Sequence, residues 1–180
     1  MFFQETMDRH LFNSDELTLV NRAVSVSEEL VSDHYKISES QWLRNRFDVK
    51  TGKDLTDQER VNQDVFAQVI RYRGVPSPNA GAPREFDLYM ICLQDHAILK
   101  EVETNTDVSI FPFLCYIFVH ELVHIIRFGR FLQSFTTPTA QREPEEKLVH
   151  DRTREILSRT SLPGIEKIMS QHWAIRHCSK

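Results

Sequence analysis

The stretch from Ile110 to Ile126, IFPFLCYIFVHELVHII, is seventeen residues of nearly unbroken apolar character with His120, Glu121 and His124 set into its second half. A membrane helix needs roughly 20 mostly apolar residues. The run is too short and too polar for that, so it predicts a helix buried on all sides inside a folded domain. Whatever the rest of the chain does, it must wrap this helix.

The remainder has the means to do so. With 180 residues, 41% hydrophobic and 27% charged, the chain reads as one globular domain, 1–180. A domain of this size buries about two-thirds of its unfolded surface and needs no metal merely to fold. The net charge of -4 and the absence of a basic block argue against nucleic-acid or membrane-surface partners. Three cysteines without CxxC spacing fit reduced thiols. The start MFFQETMDRH meets Asp8 and Arg9 before any apolar run builds, so no signal peptide is expected and the expected location is cytoplasmic. Oligomeric state has no signal in the sequence.

Asn13 and Glu16 make a capping box ahead of Leu17, Val20, Val24 and Val31, which predicts a helix from Ser14 to Tyr35. A short helical piece is expected over Trp42–Phe47 and a turn over Lys50–Asp54. Thr56 and Glu59 form a second capping box, and Val61, Val65, Phe66, Val69 and Ile70 then predict a helix ending before Gly74. The first 73 residues thus read as a helical part. Gly74–Arg84, with three prolines and two glycines, reads as a loop. FDLYMICL, Phe86–Leu93, suits a strand, and AILKEV is expected to return as a second one after a turn at Gln94 and Asp95. Helices are expected over Pro144–Arg159 and Pro163–Ala174, joined to the apolar run through a connection around Thr137 and Pro138. The fold class is therefore α+β, mostly α, with a small sheet, and the chemistry falls in 86–160.

His120-Glu121-Leu122-Val123-His124 is an H-E-x-x-H pentad. On a helix the two His stand one turn apart and leave the same face, so both imidazoles can converge on one ion. Zinc favours such nitrogen ligands and in catalytic sites takes a third protein ligand besides water. Glu121 then stands where a carboxylate can take a proton from that water. The bland alternative is a solvated face, but the flanking apolar residues surround the helix. A buried His, Glu, His set without partners would cost roughly 2 to 7 kcal/mol per polar group.

On these residues, VHELVHIIRFG with the strand candidate before it and the helix after it, the chain resembles the zincin metallopeptidases over Phe86–Arg159. The resemblance implies a zincin-like active-site helix, one Zn2+ ion, Glu121 as general base, and a peptide or protein substrate lying along an edge strand, here Phe86–Leu93. The metzincin extension is not met, because Arg127 and Arg130 stand where its Gly and third His belong. The chain is more similar to the gluzincins, whose third ligand is a Glu on a later helix, with a supporting carboxylate four residues on. Glu146 and His150 share a face of the expected helix and are the two candidates, with Glu143, Glu145 and Asp151 behind them. His150 stands where the supporting Asp is usual. As oxyanion stabilisers His150, His172, Arg127 and Arg130 come into view, though the two Arg also suit a helix C-terminus. His177 and Cys178 near the end of the chain are read as an exposed tail rather than a latency device.

Two other classes compete with a peptidase. One is a catalytically silent zinc-binding structural or regulatory protein that holds a partner's extended segment on Phe86–Leu93. The other is a di-iron carboxylate protein, which Lys147 disfavours by standing where a Glu three residues before His150 would be needed.

Overall fold

The structure is a computed structural model, and it describes residues 11–61, 65–74, 86–130 and 139–171. Among the described residues six helices and three strands follow one another: α1 (Ser14–Tyr35), α2 (Glu39–Trp42), β1 (Asn45–Lys50), β2 (Ala67–Gly74), β3 (Phe86–Leu93), α3 (Asp95–Thr104), α4 (Ile110–Gly129), α5 (Thr139–Leu157) and α6 (Ile165–Ser170). The fold is mixed α+β and mostly helical, as its sequence predicts.

The apolar run is α4, and it is the axle of the molecule. Every residue from Pro112 to Ile126 is buried, as is Phe128. By length and hydropathy α4 could cross a membrane, but 83% of its most apolar window is covered by the protein itself. The cover comes from α1, α3, α5, α6 and the sheet. α1 has the predicted bounds because its ends are chemically set: the Asn13 side chain accepts from the Asp15 and Glu16 amides, Glu16 returns the contact to the Asn13 amide at 2.8 Å, and Lys36 stops the helix in the left-handed region at φ 54°. Val20, Ala23, Ser27 and Val31 face inward, and Ser27 Oγ donates to the Cys115 carbonyl of α4 at 3.3 Å.

The sheet has the order β1-β3-β2, with β1 parallel and β2 antiparallel to β3. β3 is thus the central strand, not an edge, and this corrects the expectation that a substrate pairs with Phe86–Leu93. Its apolar run from Leu88 to Leu93 has the same cause: Tyr89, Ile91 and Leu93 face the core, while Met90 and Cys92 are covered from the other side by Leu55 and Ile70. The far-face cover is the segment 51–61.

Other expectations change as well. The helix expected after Thr56 is a single turn followed by β2. The capping contact is real, since the Thr56 amide donates to Glu59 Oε2 at 2.8 Å, but the turn stops after Arg60 bonds back to Thr56. Val65, Ala67 and Val69 then bury with period two, the residues from Ala67 on pair with β3, and ladder bonds to a distant strand override a spacing that also fitted a helix. AILKEV is part of α3, not a strand. Asp95 at its first position accepts from the Phe12 amide at 3.0 Å and the Gly52 amide at 2.8 Å, so the turn signal marks a helix start. Trp42 ends α2, while Phe47 belongs to β1. The part before residue 73 therefore supplies two strands and is not helical throughout. α5 begins at Thr139, ahead of the expected Pro144, and α6 is confined to Ile165–Ser170. The expected loop falls outside the described residues from 75 to 84.

Candidate metal centre

On α4, Tyr116, His120, His124 and Phe128 recur every four residues and form one stripe of rings. Tyr116 and His120 stack at 6.4 Å, His120 and His124 meet at 4.9 Å, and Phe128 lies parallel to His124 at 5.9 Å. Phe128 in turn stacks on Tyr89 of β3 at 6.0 Å, which ties the far end of the stripe to the sheet. Both His are 2% exposed.

α5 crosses this stripe in the opposite direction and brings Glu146 to it. Glu146 Oε2 lies 3.3 Å from His124 Nε2 and 3.4 Å from His120 Nε2, and the two Nε2 atoms are 3.2 Å apart. One proton bridges one edge of such a triangle; a cation near its centre meets all three corners. Donors about 2.0–2.1 Å from a tetrahedral ion stand roughly 3.3–3.4 Å from one another. The observed triangle has that size, so two imidazole nitrogens and one carboxylate oxygen fit a metal ion. None of the protein-family models, curated proteins or solved structures compared with the chain matches it.

Glu146 is thus the candidate that reaches the two His, and His150 is not. One turn further along α5, His150 Nδ1 shares a hydrogen bond with the Tyr116 hydroxyl, and the rings meet edge to face at 5.9 Å. His150 therefore belongs to the neighbouring crossing. Burial pushes the Tyr116 hydroxyl well above the usual tyrosine range, so it stays protonated. Tyr116 is the residue that sequence reasoning passed over; its place four residues before His120 was the available signal.

Glu121, also 2% exposed, leaves α4 about 100° around from His120. Burial pushes the Cys92 thiol of β3 up to about 12, and the negative charges of Glu59 and Glu121 add to the effect. The remaining candidates lie elsewhere. Glu145 forms an ion pair with Arg127, Asp151 pairs with Lys147 at 2.9 Å on the outer face of α5, and Glu143 is exposed. Arg130 places its guanidinium 5.3 Å over the Tyr35 ring and donates to the Tyr35 carbonyl, so it fastens α1 rather than the site. His172, His177 and Cys178 fall outside the described residues.

Proposed function

We propose that the chain is a zinc-dependent metallopeptidase with a gluzincin-like site, in which His120, His124 and Glu146 hold the ion and Glu121 is the general base. The observation that carries this reading is the triangle of two His nitrogens and one Glu oxygen, with a second carboxylate next to the first His. Zinc held there would polarise a carbonyl and make a water acidic enough to be deprotonated near neutral pH. Glu121 accepts that water's proton as the water attacks the peptide carbonyl, then delivers it to the leaving nitrogen. The stripe of rings on α4 keeps both imidazoles from rotating.

The substrate strand has to be reassigned in this reading. β3 spends its backbone on both neighbours. β2 starts beside the His side of α4: Phe66, just ahead of it, packs edge-on against Phe113, two turns before His120 on the same stripe. β1 lies on the opposite side, where a Cβ at Gly129 would stand 2.3 Å from the Asn45 side chain. Asp48 Oδ1 also occupies the amide of Val49 on β1 at 2.8 Å. An extended peptide therefore pairs with β2.

Glu121→Gln tests the mechanism, because the amide keeps the size of the side chain but cannot take the proton. Zinc content is expected to stay and cleavage of a mixed peptide library to fall at least about 100-fold. Undiminished cleavage removes Glu121 from the chemistry. A catalytically silent zinc protein is the second reading, favoured by the burial of both His and of Glu121. Wild-type protein that holds zinc and cleaves nothing in the library selects it.

A further inference from the structure

Two adjacent glutamates begin the crossing of α5 over α4, and only one enters the triangle. Glu145 and Glu146 leave the helix about 100° apart. Among the described side chains just upstream, from 142 to 144, none is buried to decide which of them faces the His pair. From 142 to 148 no side chain is fully buried, Leu148 is 38% exposed, and Val149 is the first buried apolar residue of α5 among those described. Pro144 sits in the same stretch and removes one helical hydrogen bond there. Downstream, Val149 and the contact between His150 and Tyr116 hold the helix.

On the upstream side the described contact is ionic. Arg127 lies on α4 one turn beyond His124, and its Nε donates to Glu145 Oε1, with the two side chains only 15% and 18% exposed. We propose that Arg127 is the positioning residue for the third metal ligand: by binding Glu145 it sets the rotation of α5 that delivers Glu146 to His120 and His124, and it keeps Glu145 itself out of the site. The inference rests on the metal-centre reading above. In this role Arg127 is not itself a metal ligand. Its geometry suits the task, since a guanidinium holds a carboxylate with directional hydrogen bonds, and its charge is matched by Glu145, so it adds no net repulsion beside a cation.

The test measures zinc affinity by chelator competition and records the visible spectrum of the cobalt-loaded protein, which reports the ligand set. Arg127→Gln is expected to weaken zinc binding about 10- to 100-fold, the range for groups that orient a ligand without touching the metal. Its cobalt spectrum is expected to change as Glu145 is released. Glu145→Gln should weaken binding too, without the competing carboxylate. The charge-exchanged double variant, Arg127→Glu with Glu145→Arg, should recover affinity to within about threefold of wild type, as coupled partners do in a double-mutant cycle. Wild-type affinity and spectrum in Arg127→Gln, or no recovery in a folded double variant, would overturn the positioning role alone. Should Arg127→Gln fail to fold by circular dichroism, Glu145→Gln carries the same decision through its affinity. A wild-type chain that takes up neither zinc nor cobalt would sink the metal-centre reading and this one with it.

Discussion

Glu59 and Glu146 are both carboxylates withdrawn from water, one on the far face of the sheet and one between α4 and α5, and their surroundings are opposite in kind. Glu59, 2% exposed, is ringed by donors: Lys50 Nζ at 2.7 Å, the Tyr72 hydroxyl at 2.8 Å and the Thr56 amide at 2.8 Å. Its own carbonyl accepts from Gln68 and Gln94 at 3.1 and 3.0 Å. Burial by itself would raise the Glu59 pKa, but Lys50, Thr56 and Tyr72 outweigh it and hold the group at about 2. Both carboxylate oxygens are satisfied, so Glu59 fastens the segment 51–61 onto the sheet. Glu146 instead meets two imidazole Nε2 atoms that converge on one of its oxygens. Where donors surround a buried carboxylate the fold has closed its own polar contacts. Where two ring nitrogens and a carboxylate oxygen converge, the arrangement can hold a cation.

The sharpest way to break that contrast is to remove the convergent acceptor. Glu146→Ala is expected to lose most of the zinc, whereas His150→Ala, which unfastens Tyr116 one turn away, should weaken binding only about 10- to 100-fold. Chelator competition on both variants checks the order. Equal and negligible losses would show that α5 does not supply a ligand.

Glu59→Gln probes the other half. It is expected to leave zinc affinity unchanged and to lower stability by about 2 kcal/mol, the usual worth of a hydrogen bond to a charged group; urea unfolding with and without zinc measures both. The same residue sets an acid limit. Because the folded pKa of about 2 lies below the ordinary 4.5, the contribution of Glu59 is complete above pH 4.5 and is lost as pH falls from 4.5 toward 2. Wild-type stability should fall more steeply than that of Glu59→Gln in that window, and parallel curves would deny Glu59 its role. The smallest effect is expected far from both carboxylates: Asn13→Ala, which removes the side-chain acceptor for the Asp15 and Glu16 amides, should cost about 1 kcal/mol with no change in metal binding.

What could be read without coordinates is what short-range chemistry decides. The four-residue step from His120 to His124 places both rings on one helix face wherever that helix lies, and the apolar residues around them require it to be buried. Asn13 and Glu16 locate the start of α1 because the capping bonds span only three residues. The strand Phe86–Leu93 was legible from its composition. What failed depended on distant partners. Val65, Phe66, Val69 and Ile70 suit a helix or a strand, and only the ladder to β3 makes β2. The central place of β3 follows from its two neighbours, and no residue within it states that. The choice of Glu146 over His150 and Glu145 turns on how α5 rotates against α4, where one residue is about 100° of helix. That rotation is decided by the contacts of α5 with Arg127, Tyr116 and the core beneath Val149, none of which local periodicity contains.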